Sequence, residues 1–249
     1  MTRSKRVRPG ANWPGQRSRE TTPSCEEPRD DFFFVLGHQP LLSLAELANV
    51  LRTSGANIEQ YRLMGDVVVI RSGHSLDCPK LLGILGGSVK AGRVLAHLSE
   101  PNPETLWESL ISDSVLGGLA ESAKPVTLAI SLYSSLPEEQ FPMAQRRSVI
   151  EETNKRCKKF LAEKGVSCRY LIWEGSRRAE PIASAQLIKT HTLESGAEIC
   201  LVWDEKGLFI GKTEAVQELD AFAKRDMHKP VRRTTEGLLP PKLARILVN

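Results

Sequence analysis

Hydrophobic and polar residues follow two periods along the chain, which predicts a mixture of helices and strands. The apolar run at residues 32–36 predicts a buried strand. A stripe of 3.6-residue period over residues 44–51 predicts a helix. Ser43 and Glu46 have the spacing of a capping box at its start, and Gly55 is placed to end it.

Turn residues separate two further pairs of apolar runs. Residues 58–63 and 67–71 flank a Met-Gly-Asp turn, and residues 199–203 and 208–211 flank an Asp-Glu-Lys-Gly turn, so both pairs predict hairpins. The same patterns predict further helices at 77–86, 103–120, 143–164 and 181–192 and further strands at 89–98, 126–133 and 168–173.

The order of these elements predicts the fold class. Residues 32–98 have the β-α-β-β-α-β order of a ferredoxin-like split unit. A second set of helices and strands follows, without long parallel β-α-β spacing, so antiparallel strands are expected throughout. We therefore predict an α+β protein with two small lobes.

Composition excludes several classes of protein. Hydrophobic residues make up 41% of the chain and charged residues 26%, as in ordinary globular proteins. No apolar run has the length of a membrane span, so no membrane partner is expected. The five cysteines are odd in number and include no Cys-x-x-Cys pair, which favours reduced thiols in a cytoplasmic protein. Residues 1–30 have few large apolar groups and are expected to be disordered.

Positive charge is concentrated at the two ends of the chain, although the net charge is only +4. Residues 1–30 carry seven basic and four acidic side chains, and residues 224–249 carry seven and two. The helix predicted at 143–164 also has a net positive face. These features are typical of a protein that binds nucleic acid. The alternative interpretation is a solubilising tail, a linker and a solvated helix with ion pairs four residues apart.

Motifs for other chemistry are weak. Gly211-Lys212-Thr213 ends like a phosphate-binding loop, but Lys206 stands where that loop needs its first glycine, so the end of a hairpin strand is expected. The Gly86-Gly87 pair predicts a turn between helix and strand. No two histidines have a metal-ligand spacing, and no serine hydrolase elbow occurs.

The C-terminal segment carries a resemblance to a known family. Residues 223–230 read AKRDMHKP and lead through Arg232-Arg233 to residues 237–249, which read GLLPPKLARILVN. This segment closely resembles the linker that precedes the catalytic domain in the THUMP-containing RNA methylase family, similar to tRNA guanine N2-methyltransferases. Residues 34–37 and 42–47 resemble the opening strand and helix of the same family, and residues 184–186 and 196–217 resemble its THUMP end. The resemblance covers about residues 32–249.

The resemblance implies RNA binding without methyl transfer. In the family the S-adenosylmethionine site follows this linker, with an acidic glycine-rich turn after a strand and a later Asn-Pro-Pro-Tyr-type loop, and this chain has neither. S-adenosylmethionine is therefore expected on a missing catalytic domain, and the expected partners are tRNA or other structured RNA and a separate methyltransferase domain or subunit. The last helix, starting at Pro241, has barely two turns, so truncation or docking on something outside the sequence is expected.

The resemblance also implies a division of the chain. Residues 1–30 are expected to form a disordered basic tail, 31–100 a ferredoxin-like N-terminal lobe, 101–215 a THUMP-like α/β lobe that binds RNA, and 216–249 a basic linker with the first helix of the missing domain. The basic residues expected to contact RNA are Arg177, Arg178, Lys189, Lys224, Arg225, Lys229, Arg232, Arg233 and Lys242.

Two other functions stay open from the sequence. The chain could be a stand-alone adaptor module that binds a protein partner through its C-terminal helix. It could also be a remnant of such an enzyme with no retained activity. RNA binding by the purified chain would separate the first hypothesis from both.

Overall fold

The structure, a computed structural model, describes residues 31–171, 181–228 and 239–249. The strands are β1 (Asp31–Leu36), β2 (Ile58–Met64), β3 (Val67–Ser72), β4 (Ser88–Leu98), β5 (Val126–Ser134), β6 (Cys168–Tyr170), β7 (Gly196–Asp204) and β8 (Gly207–Val216). The helices are α1 (Pro40–Thr53), α2 (Cys78–Ile84), α3 (Pro103–Leu110), α4 (Gly118–Ala120), α5 (Met143–Glu163), α6 (Ser184–Lys189), α7 (Thr192–Ser195), α8 (Leu219–Met227) and α9 (Pro241–Val248). The tail at 1–30 and the end of the strand predicted at 168–173 lie outside the described residues.

The described strands form one mixed sheet in the order β2-β3-β1-β4-β8-β7-β5-β6. Strands β1 to β4 pair antiparallel, and the β-α-β-β-α-β order predicted for residues 32–98 is present. Strand β4 pairs with β1 along one edge and with β8 along the other. The two lobes predicted from the sequence therefore share a continuous sheet, because the long strand β4 belongs to both.

Alternate residues of β1 point to opposite sides of this sheet. Phe32 and Phe34 pack with α1 and α2, and α3 and α5 lie on the same side, which we call the helix side. Phe33 points to the other side, the far side, where it packs in one core with Val202 and Phe209 from β7 and β8. Helix α6 covers another part of the far side.

The expectation of antiparallel strands throughout is wrong for β5, which pairs parallel with both β6 and β7. Helix α5 returns the chain from one end of β5 to the other, so β6 runs in the same direction as β5. A helical period reveals such a helix but does not show which strands it connects.

Two helices predicted as continuous are interrupted. In the 103–120 region, α3 is capped by Asn102 and ends at Leu110, and a π-helical turn at Asp113–Gly117 precedes α4. Serine, aspartate and glycine in this stretch are poor helix formers. In the 181–192 region, His191 has a left-handed backbone with φ of 50° and separates α6 from α7.

Both predicted hairpins are confirmed. Gly65 and Gly207 occupy their turns with φ of 61° and 137°, values that favour glycine. Gly211-Lys212-Thr213 lies within β8, as the strand interpretation predicted, and not in a loop before a helix. The predicted helix end at Gly55 is also confirmed, because Gly55 is left-handed just after α1.

Candidate nucleic-acid interface

The side chain of Glu46 ties α1 to the turn that precedes β4. It is 3% exposed, and its two oxygens accept hydrogen bonds from the backbone N–H groups of Gly86 and Gly87, each at 2.8 Å. Hydrogen bonds to a carboxylate are stronger than those between neutral groups. A Cβ on Gly87 would lie 2.5 Å from Ser43 Oγ, so the close approach of α1 requires glycine here.

The capping box predicted for Ser43 and Glu46 is wrong. Helix α1 begins at Pro40 with Gln39 as its N-cap, so both residues lie inside the helix. Ser43 donates its hydroxyl to the Gln39 carbonyl at 2.9 Å, and Glu46 binds the distant glycine turn instead. Proline suits the first turn of a helix, and α1 therefore starts four residues earlier than the apolar stripe predicted.

Helix α9 docks on the same turn. Asn249 donates its amide to Glu46 Oε1 at 2.6 Å and to the Ile84 carbonyl at 3.1 Å, while Asn49 of α1 donates to the Asn249 carbonyl. A Cβ on Gly86 would lie 2.6 Å from the backbone oxygen of Lys242. These contacts hold α9 against α1 and the end of α2, on the helix side of the sheet.

Three cationic side chains meet around one aromatic ring between α8 and α9. Phe222 is 7% exposed, and the charged groups of Arg225, Lys242 and Arg245 lie 5.1, 5.3 and 5.1 Å from the centroid of its ring. The separation of any two of these charged groups is therefore no greater than the sum of their distances from the ring centroid. We call these four residues the Phe222 cluster.

Burial lowers the pKa of Lys242, because leaving water disfavours its charged form. Each contact with the face of Phe222 stabilises a cation by about 0.5–1 kcal/mol, which partly offsets that effect and the mutual repulsion of the three charges. Arg245 also donates to the Gly83 carbonyl at 2.9 Å, which orients its guanidinium group. A phosphate placed here would neutralise several positive charges at once, so the arrangement suits a polyanion.

The structure places the predicted RNA-binding residues in three groups. Arg225 and Lys242 come together in the Phe222 cluster, and Lys224 is exposed beside them on α8. Lys189 is exposed at the end of α6, on the far side of the sheet, and the structure does not bring it to the cluster. The remaining predicted residues lie outside the described residues: Arg177, Arg178, Lys229, Arg232 and Arg233.

Sequence reasoning missed Phe222 and Arg245. Helix α8 was not predicted, because the segment is short and Phe222 is its one large buried side chain. Arg245 could have been found, since it stands three residues after Lys242 in a predicted helix and therefore shares its face.

The basic face of α5 is largely paired with acidic neighbours. Ion pairs four residues apart join Arg147 to Glu151, Arg156 to Glu152 and Lys159 to Glu163. The prediction of a solvated helix with ion pairs four residues apart therefore describes these six side chains. Because their charges are paired, they make a weaker phosphate-binding surface than the Phe222 cluster.

Lys90 of β4 and Glu198 of β7 form a buried ion pair that sequence reasoning did not identify. Their side chains are 3% and 0% exposed, and Nζ lies 2.5 Å from Oε1. Ser131 and Thr213 each donate to Glu198 at 2.6 Å. The backbone of Ile182 joins the network, accepting from Lys90 at 2.5 Å and donating to Ser131 at 2.9 Å. Four strands and the segment entering α6 are thus held at one point.

Over 31–171, 181–228 and 239–249, no helix is both long and apolar enough to cross a bilayer. In the same residues, no three side chains of histidine, cysteine, aspartate or glutamate are placed to hold a metal ion together.

Replacing Gly86 by alanine is expected to displace α9 while the sheet stays folded. The new methyl group would overlap the Lys242 carbonyl, and overpacking of this kind costs about 1–3 kcal/mol. Hydrogen exchange should show faster exchange of the α9 amides in this variant. Gly83→Ala is the matched control, because a Cβ at Gly83 has no atom within 4 Å. Unchanged α9 protection in Gly86→Ala would contradict the docking described above.

Models of known protein families give no match to this chain, and no curated protein matches it either. Solved structures do match. TrmN from Thermus thermophilus superposes with a TM-score of 0.50 at 15% identity, covering 88% of this chain and 53% of that one. At this identity the similarity shows a shared fold.

Two other solved structures match less closely. A 4-thiouridine synthetase in complex with RNA and ATP has a TM-score of 0.45 at 11% identity, over 77% of this chain and 42% of that one. The protein PH1313 from Pyrococcus horikoshii has a TM-score of 0.47 at 9% identity, over 75% and 54%. The chain therefore spans about half the length of the solved proteins that it matches.

The match to TrmN agrees with the resemblance found in the sequence. The mixed α+β sheet and its helices correspond to the N-terminal part of TrmN. In its fold, this chain resembles solved THUMP-containing proteins such as TrmN.

Proposed function

We propose that this chain binds RNA, with tRNA as the expected ligand, and forms the N-terminal part of an S-adenosylmethionine-dependent RNA methyltransferase. The Phe222 cluster is the observation that carries the proposal, because it gathers three cations on two helices of a fold shared with TrmN. A duplex or stem would be held there through its phosphates and its shape, without reading of bases.

The proposal assigns no methyl transfer to the residues of this chain. Transfer requires the methyl donor to be held in line with the acceptor atom, which depends on a pocket that positions both. The glycine-rich turn and the Asn-Pro-Pro-Tyr-type loop of the methylase family are missing from the sequence. Under this proposal S-adenosylmethionine binds a separate domain or subunit, and this chain presents the RNA to it.

A second candidate function is binding of a protein partner through α9. Leu247 and Val248 at the end of this helix are 62% and 86% exposed, which favours it. The two candidates differ in one measurement, because only the first predicts that the chain by itself binds RNA.

RNA binding by the purified chain is expected to fall steeply as salt is raised. If the three cations of the Phe222 cluster each neutralise a phosphate, they alone contribute a slope of about −2 to −3 to a plot of log affinity against log salt concentration. Fluorescence anisotropy with a labelled tRNA transcript over a salt series measures this slope. A flat plot, or no binding at low salt, would count against the proposal, and tight binding of S-adenosylmethionine would contradict its second part.

A further inference from the structure

A groove of about 550 Å³ lies on the far side of the sheet, away from the Phe222 cluster. One wall is β2, where Arg62 reaches across to form an ion pair with Asp204 at the end of β7. The floor is made by side chains of β3, β4 and β8, including Val69, Val94 and Phe209. A volume of this size is within the range of ligand-binding clefts.

An aromatic pair forms one part of the floor. His97 stacks on Phe209 with ring centroids 4.2 Å apart and an angle of 20° between the rings. Phe209 is only 7% exposed, whereas His97 is half-buried, so the imidazole is the ring that a ligand can reach. The guanidinium group of Arg62 lies 5.5 Å from the Phe209 centroid and adds a second planar group beside this pair.

Charges at the rim largely cancel. Arg62 is paired with Asp204, and Arg71 makes two hydrogen bonds to Asp31, at 3.0 and 3.2 Å. The two other charged residues of the lining, Glu59 and Lys206, are of opposite sign. A free nucleotide, with its terminal phosphate and multiple negative charges, therefore finds little compensating charge here. A neutral planar ring that stacks on an aromatic or guanidinium plane fits the groove better.

We propose that this groove accepts one unpaired base of the RNA whose phosphates are held by the Phe222 cluster, an inference that rests on the proposed function. A single stacked base contributes a factor of about 10 to 100 in affinity, which is too little to hold a free nucleotide but enough to add to a strand held elsewhere. The groove and the cluster lie on opposite sides of the sheet. An unpaired segment can bend around the sheet to reach both, whereas a stiff duplex cannot.

The test compares two RNAs that differ only in their bases. Both are the same hairpin with an unpaired extension of about ten nucleotides, which is adenosine in one and abasic in the other, so the phosphates are equal. The full chain is expected to bind the adenosine form about tenfold more tightly. His97→Ala should abolish this difference and leave the affinity for the abasic form unchanged. His97→Tyr, which keeps an aromatic ring, should retain the difference.

Several results would overturn the inference. Equal affinities of the wild-type chain for the two RNAs would do so, as would a His97→Ala variant that loses both RNAs equally or a His97→Tyr variant that behaves like it. His97-dependent binding of adenosine monophosphate at micromolar concentration would assign the groove to a free nucleotide instead. If the chain binds no RNA at all, the proposed function fails together with this inference. If it binds RNA through the Phe222 cluster without base dependence, only this inference fails.

Discussion

Replacing Glu198 by glutamine is expected to destabilise the protein by about 3–5 kcal/mol, because the ammonium group of Lys90 would stay buried without a counter-charge. The site is dry. Lys90 Nζ lies 5.9 Å from the ring of Tyr133, and burial raises the pKa of that phenol. The substitution keeps the size and shape of the side chain, so it removes the charge and one acceptor oxygen without opening a cavity. Urea unfolding followed by tryptophan fluorescence measures the change in the free energy of unfolding.

The double variant Lys90→Met/Glu198→Gln is the matched control. It removes both charges and keeps one of the two oxygens that accept from Ser131 and Thr213, so it should recover the part of the lost stability that comes from the uncompensated charge. If the single and double variants were equally unstable, the cost would come from packing or hydrogen bonding and not from an uncompensated charge. A single variant as stable as the wild type would show that Lys90 sheds its proton or reaches water.

Neutralising the Phe222 cluster is expected to have the largest effect on RNA binding. In the triple variant Arg225→Gln, Lys242→Gln and Arg245→Gln, affinity for tRNA should fall by roughly tenfold for each lost phosphate contact, up to about a thousandfold at low salt. The salt slope should become shallower by about 2–3. Glutamine is chosen because it removes the charge and keeps a polar side chain at the positions where these helices dock. Anisotropy over a salt series measures both quantities.

The matched control lowers the net charge by the same amount on α5. Arg147, Arg156 and Lys159 are each paired with a glutamate of the same helix, so their replacement by glutamine should change affinity much less. Equal losses of affinity in the two triple variants would mean that RNA binding depends only on the net charge of the chain. The cluster would then have no special role in binding.

Local sequence signals predicted the individual elements well. Each of these signals acts within a few residues: the apolar run of β1, the glycines of the two hairpins and the proline at the start of α9. The same reasoning failed where a distant group decided the outcome. Glu46 matched a capping box by spacing, yet its carboxylate binds a turn forty residues away.

The candidate site also combines residues that the sequence could identify with contacts that it could not. Arg225 and Lys242 could be selected from the sequence by charge and by their place in a recognised segment. Their meeting around Phe222 could not, because it depends on how α8 and α9 pack against each other. The groove at His97 had no signal, since its walls come from strands that are far apart in the chain.

What the sequence by itself determined is therefore the set of elements, the basic character of the C-terminal segment and the absence of the family's methyl-donor motifs. These depend on periodicity, composition and short spacings, which are properties of neighbouring residues. Only the tertiary structure decided that β4 joins both halves in one sheet, that β5 has parallel neighbours, and that Lys90 and Glu198 pair inside it. Each of these depends on the contact of segments distant in the chain, which is set by the packing of the whole core.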